Sequence, residues 1–82
     1  MNLPFITGTD NSEAFLHIGS GLLREGSSAV DAVEATIRAV EANPEDHSVG
    51  LGGIPNLLGV IQLDASIMDG RTLNAGAVAA VE

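Results

Sequence analysis

The sequence predicts an α+β fold in which two helices pack on a β-hairpin. Two apolar stripes with helical spacing occupy the first half of the chain, and a stretch of alternating side chains followed by a turn signal occupies the second. The predicted order is helix, helix, glycine-rich loop, strand, strand, which is typical of helices stacked on one sheet. A chain of 82 residues is long enough for one small domain.

The first helix is expected to begin at a variant of the capping box, Asp10-Asn-Ser-Glu13, with an acceptor at the cap and a glutamate three residues later. Gly26 is expected to end it. Gly19 and Gly21 would each weaken the helix by about 1 kcal/mol unless they allow close packing, so they predict a contact face. The apolar stripe of this helix consists of Phe15, Ile18 and Leu22.

The second helix is expected from about Ala29 to Ala42, with Ser28 as its cap and Asn43-Pro44 as its stop. Glu34 and Arg38 are spaced for an ion pair worth about 0.3 kcal/mol. The apolar stripe of this helix consists of Val30, Val33, Ile37 and Val40.

The hairpin is predicted from a period of two between Val60 and Met68. Asp69-Gly70 supplies the turn signal, because glycine tolerates a positive φ without steric cost. The return strand, Leu73 to Val81, consists almost entirely of small side chains, which predicts close approach of other layers on both faces. The apolar face of the first strand consists of Ile61, Leu63, Ala65 and Ile67.

The segment between helix and hairpin, Glu45 to Gly59, holds four glycines and one proline and is expected to be a shaped connection. Asn56 to Gly59 is expected to form a turn into the first strand. The string Gly50-x-Gly52-Gly53 resembles a phosphate cradle only superficially. Phosphate-binding loops follow a strand and precede a helix, whereas this loop follows a helix and precedes a strand.

Composition excludes several classes of partner. A net charge of -8 with only three arginines as cations argues against a nucleic-acid or anionic-membrane surface. There is no cysteine for disulfide or thiolate chemistry, which leaves the compartment open. No signal peptide and no apolar run of membrane-spanning length is recognised, so a soluble protein, cytoplasmic by default, is expected.

No catalytic set emerges from the residues themselves. Asp64 and Asp69 could pair as acid and base, but five residues apart on a strand they face opposite sides. His17 and His47 lie on different elements without a metal-ligand spacing, so neither a metal nor a cofactor is expected. Ser48 and Thr72 are candidate hydroxyl nucleophiles, and neither is expected to complete a triad with a histidine and an acid.

Four strings occur in order: Ser27–Glu34, Asp46–Pro55, Leu63–Thr72 and Gly76–Val78. Together they resemble the N-terminal part of the glycosylasparaginase (aspartylglucosaminidase) family, in the type 2 asparaginase group of N-terminal nucleophile hydrolases. The string Leu-Asp-Ala-x-Ile-Met-Asp-Gly is highly specific to that group. The string Ser-Val-Gly-x-Gly-Gly-x-Pro favours the glycosylasparaginase branch over the plant-type asparaginases.

The resemblance implies a four-layer αββα sandwich, made as an inactive precursor that cuts itself before a threonine. The freed amine of that threonine then serves as base for its own hydroxyl. The mature α and β chains stay together and hydrolyse the side-chain amide of asparagine, or of asparagine carrying a sugar. The threonine lies downstream of the last matching string. Residues 1–82 are therefore expected to be a partial domain, the N-terminal portion of the α chain, inactive without the rest of the α chain and the β chain.

The same resemblance implies roles for individual residues. Asn2-Leu3-Pro4-Phe5 corresponds to the family's Asn-Thr-Trp-Pro-Phe with one residue fewer. Leu3 thus replaces a tryptophan of the substrate funnel, and Phe5 matches the family's phenylalanine. Ser48 matches a serine beside the nucleophile, and Asp46 its neighbouring acid, with loop-fixing hydrogen bonds as an alternative role of equal weight. The positions expected to be structural are Asp64, Asp69 and Gly70.

Two functional classes stay open from the sequence. One is an amidohydrolase segment that is competent only with its remainder and acts on a small-molecule amide. The other is a stand-alone interaction or vestigial domain that keeps the helices and hairpin without the chemistry. In either case the unpaired edges of a two-stranded sheet predict homo-oligomers or other self-association.

Overall fold

The computed structural model describes residues 4–82 and divides into two compact units, one ending at Val40 and the other spanning Glu41–Glu82. The predicted α+β class is confirmed. The packing of the helices on the hairpin and the four-layer sandwich stay predictions. The elements in chain order are a 3-10 helix Asp10–Phe15, helices α1 Leu16–Arg24 and α2 Ala29–Glu41, a 3-10 helix Gly50–Gly52, and strands β1 Leu63–Met68 and β2 Ala75–Val81.

The first helix begins differently from what the predicted capping box implied. A 3-10 helix precedes α1, and its N-cap is Thr9, which makes no side-chain cap hydrogen bond. The carbonyl of Thr9 instead accepts from the Ser12 N–H at 2.9 Å and from the Ser12 hydroxyl at 2.6 Å. The capping box at Asp10-Asn-Ser-Glu13 is therefore wrong, because local bonds between side chains and backbone compete with a regular α-helical start.

The end of α1 and the start of α2 agree with the sequence. The Ser27 N–H donates to the Leu22 carbonyl at 3.0 Å and the Gly26 N–H to the Leu23 carbonyl at 3.1 Å, which is the Schellman pattern. Gly26 has a φ of +87°, a conformation that glycine adopts without strain. The Asp31 N–H then donates to the Ser28 hydroxyl at 3.1 Å, so the predicted cap of α2 is confirmed.

The buried face of α2 differs from its predicted stripe. Ala32, Thr36 and Val40 are its buried residues, with exposed fractions of 1%, 4% and 6%. Val33 and Ile37 are 38% and 42% exposed, so of the predicted stripe only Val40 is fully buried. The Thr36 hydroxyl donates to the Ala32 carbonyl at 2.8 Å, which satisfies it inside the core. The helix therefore turns its smaller residues inward.

The smaller residues of α2 are the buried ones because α1 and α2 approach each other closely. A Cβ added at Gly19 would lie 2.5 Å from the Thr36 hydroxyl oxygen and 2.5 Å from Cδ1 of Ile6. No side chain larger than hydrogen fits at Gly19 without a shift, so the predicted contact face is confirmed there. At Gly21 nothing lies within 4 Å of an added Cβ, and the prediction is wrong for that residue. The Glu34–Arg38 pair forms at 3.4 Å on the exposed side of α2.

The hairpin is antiparallel and carries one irregularity. Ala65 pairs with Val78 and Met68 with Ala75, whereas Leu63 pairs with Val81, so the register shifts between Leu63 and Ala65. The extra residue on β2 is accommodated by a bulge. Leu63 is half-buried, whereas the remaining residues of β1 and all of β2 are exposed. The layers predicted to cover both faces stay a prediction.

The hairpin turn is longer than the two residues that Asp69-Gly70 predicts. The Asp69 N–H donates to the Asn74 carbonyl at 2.9 Å, and the Leu73 N–H donates to the Asp69 carbonyl at 2.7 Å. The positive φ falls on Leu73, at 62°, and not on Gly70. The hairpin itself is confirmed. The expectation for Gly70 is wrong because strand pairing ends at Met68 and Ala75, leaving residues 69–74 to form the connection.

Among residues 4–82, no helix has the length and apolar character needed to cross a membrane.

Candidate functional site

The loop after α2 brings Asp46 and Ser48 into direct contact. Oδ1 of Asp46 accepts from the Ser48 N–H at 2.8 Å and from the Ser48 hydroxyl at 2.5 Å. The loop begins with Asn43, whose carbonyl accepts from the Asp46 N–H at 3.2 Å and whose side-chain oxygen accepts from the Glu45 N–H at 3.1 Å. These contacts agree with the loop-fixing role, and the substrate-pocket role of Asp46 and Ser48 stays a prediction.

His47 closes the same loop. Its Nδ1 lies 2.8 Å from the carbonyl oxygen of Gly52. A carbonyl oxygen can only accept, so Nδ1 carries the proton and donates it. Sequence reasoning set a metal-ligand role for His47 against that of a solvated or core-satisfied side chain, which it preferred, and did not find this contact. No motif could have revealed it, because the bond depends on how the loop folds back between the two residues.

The glycines of this loop permit close approach between backbone segments. Gly50 has a φ of +63°, and an added Cβ would lie 2.1 Å from the Glu41 carbonyl oxygen at the end of α2. An added Cβ at Gly52 would lie 2.3 Å from the Asp46 carbonyl oxygen and 2.5 Å from that of Pro44. The polar atoms nearest to these added Cβ positions are carbonyl oxygens, whereas a phosphate cradle needs converging N–H donors. The geometry therefore gives no support to a phosphate site.

Asn56 organises the turn before β1. Its side-chain oxygen accepts from the Leu58 N–H at 2.9 Å and from the Val60 N–H at 3.1 Å. Its own N–H donates to the Val60 carbonyl at 2.8 Å, and Gly59 adopts a φ of +79°. The predicted turn is confirmed, since an Asx side chain that caps following N–H groups is a recognised turn device. The turn displays Leu57 and Leu58 to solvent.

The two motif aspartates bind backbone N–H groups. Oδ1 of Asp64 accepts from the Ala80 N–H at 2.8 Å, and Oδ1 of Asp69 accepts from the Arg71 N–H at 3.0 Å. The two carboxylates are thus engaged at different places, one at the bulge and one in the connecting turn. Both contacts agree with the structural role expected for these residues and give no support to an acid–base pair. Beside Gly70, an added Cβ would meet nothing within 4 Å.

The remaining predicted positions lie elsewhere. Phe5 belongs to the first unit and is 85% exposed, so its relation to Ser48 stays a prediction. Leu3, the residue in the place of the funnel tryptophan, lies outside the described residues. Within residues 4–82, no group of three or more His, Cys, Asp or Glu side chains could hold a metal ion.

The side chains of the loop are arranged to orient a reacting group and not to act as a nucleophile. A serine nucleophile needs a base such as histidine, lysine or a free amine. The chain contains no lysine, and the proton of the Ser48 hydroxyl is donated to the Asp46 carboxylate instead of to His47. The chemistry that this arrangement can supply is positional.

The described residues contain two helices, a glycine-rich loop with the string Asp46-x-Ser48, and a hairpin. The chain belongs to the asparaginase family (Asparaginase_2), whose model matches residues 7–82. It is therefore a member of the type 2 asparaginase group of the N-terminal nucleophile hydrolases.

Curated relatives come from several branches. The human isoaspartyl peptidase/L-asparaginase is 54% identical over 65 residues, which are 79% of this chain and 21% of the relative. The N(4)-(β-N-acetylglucosaminyl)-L-asparaginase of Elizabethkingia miricola is 40% identical over 82 residues, 99% of this chain and 24% of the relative. The plant-type L-asparaginase of Thermococcus kodakarensis is 48% identical over 59 residues, 72% of this chain and 19% of the relative. The chain thus spans between 19% and 24% of the lengths of these relatives.

Proposed function

We propose that this chain is part of an amidohydrolase that hydrolyses the side-chain amide of asparagine, or of asparagine carrying a sugar. The match of the asparaginase family to residues 7–82 carries this proposal. L-asparaginase appears in the names of all three relatives described above, whatever their branch. Amide hydrolysis of an asparagine side chain is therefore the chemistry that they share.

In this proposal the nucleophile comes from sequence beyond the matching strings. A threonine released by self-cleavage attacks the amide carbon, with its own α-amine as the base. Donors placed for the developing oxyanion stabilise the tetrahedral intermediate. The 82 residues supply scaffold to that centre and hydrolyse no amide alone. The small, exposed side chains of β2 support a place inside a four-layer sandwich, where other layers would cover both faces.

The loop between α2 and β1 is the proposed contribution to the substrate pocket. Ser48 is held by Asp46 through both its N–H and its hydroxyl, so its side chain has a defined direction. A fixed hydroxyl beside the nucleophile can orient the threonine or the substrate without taking part in bond making. Phe5 is proposed as an apolar wall of the same pocket.

Glycosylated asparagine is the favoured substrate. The string Ser48-Val-Gly-x-Gly-Gly-x-Pro55 supports the glycosylasparaginase branch, as does a match to the Elizabethkingia miricola enzyme over 99% of this chain. The higher identity to the human isoaspartyl peptidase/L-asparaginase, 54% over a shorter segment, favours a β-aspartyl peptide or free asparagine. These three substrates are the ones to compare.

A chimera tests the proposal. Residues 1–82 replace the matching segment of the Elizabethkingia miricola relative, and the purified protein is offered asparagine, N-acetylglucosaminyl-asparagine and a β-aspartyl dipeptide. Released aspartate, the product common to all three substrates, is measured. We expect the chimera to cut itself and to hydrolyse the glycosylated substrate fastest, and the 82-residue chain alone to release nothing.

The matched control is the same chimera with the relative's nucleophilic threonine changed to alanine, which should lose all turnover. A chimera that folds and cuts itself but hydrolyses none of the three amides would contradict the proposed function and favour a non-catalytic domain. Hydrolysis by the 82-residue chain alone, surviving repurification, would show that the chemistry does not lie downstream.

A further inference from the structure

The shape of the folded loop Asn43–Gly53 depends on a few directed hydrogen bonds. Gly50 and Gly52 both lie in it, and glycine loses more conformational entropy on folding than any other residue. The 3-10 helix Gly50–Gly52 is closed by one bond from the Gly53 N–H to the Gly50 carbonyl, at 3.0 Å. A bond between distant points of the loop would therefore have a large effect on its shape.

Such a bond joins His47 to Gly52. Nδ1 of His47 donates to the Gly52 carbonyl at 2.8 Å and encloses the four residues between them, of which Ser48 is the first. On the other side, the Asp46 carboxylate holds the Ser48 N–H and hydroxyl. His47 is exposed, so its effect comes from this directed bond more than from burial.

We propose that His47 is a positioning residue that clamps the loop between Asp46 and Gly52 and thereby sets the direction of the Ser48 hydroxyl. The effect on catalysis rests on the proposed function, in which Ser48 lies beside the nucleophile. The clamp itself rests only on the geometry of the loop. Because His47 directly precedes Ser48, a displacement of the His47 backbone is transmitted to Ser48 through one peptide bond.

The clamp requires that the proton of the neutral His47 ring lie on Nδ1. A donor is required at Nδ1 in both the neutral and the charged ring, so the neutral ring must carry its proton there. An exposed histidine without a directed acceptor carries its neutral-form proton mainly on Nε2. His17, exposed on α1, provides the comparison within the same molecule.

The first test is an NMR measurement of the tautomer in the chimera described above, with its histidines labelled with ¹⁵N. The His47 signals are identified by their absence in His47→Asn. We expect the proton of neutral His47 on Nδ1 and that of His17 mainly on Nε2. The same Nε2 tautomer at both histidines would overturn the clamp.

The second test separates positioning from a merely structural role. Asparagine places an N–H donor where Nδ1 of the imidazole lies, whereas leucine has no donor. We expect His47→Leu to lower kcat about fivefold, the scale of one lost hydrogen bond, with less change in KM. We expect His47→Asn to keep kcat within about twofold of the parent, and His17→Leu to leave it unchanged.

The outcomes are distinguishable. Equal kcat values for the parent and His47→Leu, at the same concentration of self-cleaved enzyme, would overturn the positioning role. Equal losses in His47→Leu and His47→Asn would overturn the donor as its cause. A parent chimera that folds and cuts itself but shows no turnover would overturn the proposed function and the effect on catalysis with it, while the tautomer would still decide whether His47 clamps the loop.

Discussion

The carboxylate of Asp64 accepts a hydrogen bond from the backbone N–H of Ala80, at 2.8 Å across the hairpin. Ala80 has a φ of 52°, which is the left-handed region. A residue with a Cβ costs roughly 1–2 kcal/mol in that region. The bond therefore lies where β2 departs from regular pairing, and the aspartate stabilises a backbone conformation that alanine does not favour.

This relationship predicts opposite effects of glycine at two neighbouring positions. Ala80→Gly should raise the free energy of unfolding by about 1 kcal/mol, because glycine removes the strain at positive φ. Ala79→Gly, in the same strand without a positive φ, should lower it by about 0.5–1 kcal/mol. Asp64→Ala should lower it by about 1–2 kcal/mol. Urea unfolding of the chimera described above measures all three, and the same chimera carries the variants of the next two predictions. Equal destabilisation by the two glycines would contradict the bulge.

The connecting turn gives the second prediction, which compares substitutions at Leu73 and Gly70. Leu73→Gly should raise the free energy of unfolding by up to about 1 kcal/mol, because Leu73 and not Gly70 has the positive φ. Gly70→Ala should change it by less than about 0.5 kcal/mol, since nothing lies within 4 Å of an added Cβ. Marked destabilisation by Gly70→Ala in thermal unfolding would restore the expectation drawn from the sequence, in which Gly70→Val costs more than about 1 kcal/mol.

Two glycines of different surroundings give the third prediction. Gly50→Ala should destabilise the protein by at least about 2 kcal/mol, because the Cβ would overlap the backbone of Glu41 and the φ is positive. Gly21→Ala should stabilise it by up to about 1 kcal/mol, because the site in α1 is open and alanine favours the helix. Denaturant midpoints of the two variants should therefore move in opposite directions.

The isolated 82-residue chain is predicted to self-associate. Leu57 and Leu58 are 106% and 88% exposed at the tip of the turn that Asn56 holds, and the strand edges are unpaired. Leu57→Asp with Leu58→Asp should reduce association in sedimentation at micromolar concentration. Glu45→Asp, which leaves charge and apolar surface unchanged, is the control. A compact monomer that melts cooperatively would count against this prediction and against the partial-sandwich interpretation.

The pocket role of Ser48 gives the fifth prediction. In the chimera, Ser48→Ala should lower kcat/KM more than Asp64→Asn does at equal folded yield, because Asp64 binds backbone at the hairpin bulge. The reverse order would indicate that the hairpin bulge, and not the Asp46–Ser48 contact, controls the catalytic geometry.

Much of the local structure could be predicted from sequence, because its causes lie within a few residues. The stop at Gly26, the cap at Ser28 and the turn at Asn56 each depend on a side chain or glycine that satisfies nearby backbone groups. The family motifs are also contiguous strings. They identified the asparaginase family and drew attention to Asp46 and Ser48, although the pocket role of these two residues stays untested.

Only the tertiary structure decided which face of α2 is buried, where the hairpin turns and what His47 contacts. Helical spacing places Val33 and Ile37 as readily inside as Ala32 and Thr36, and the approach of Gly19 made the smaller pair the buried one. The positive φ at Leu73 follows from where strand pairing ends, and the His47–Gly52 bond from how the loop returns on itself. Periodicity and propensity describe single elements, whereas these features are set by the distance at which separate segments meet.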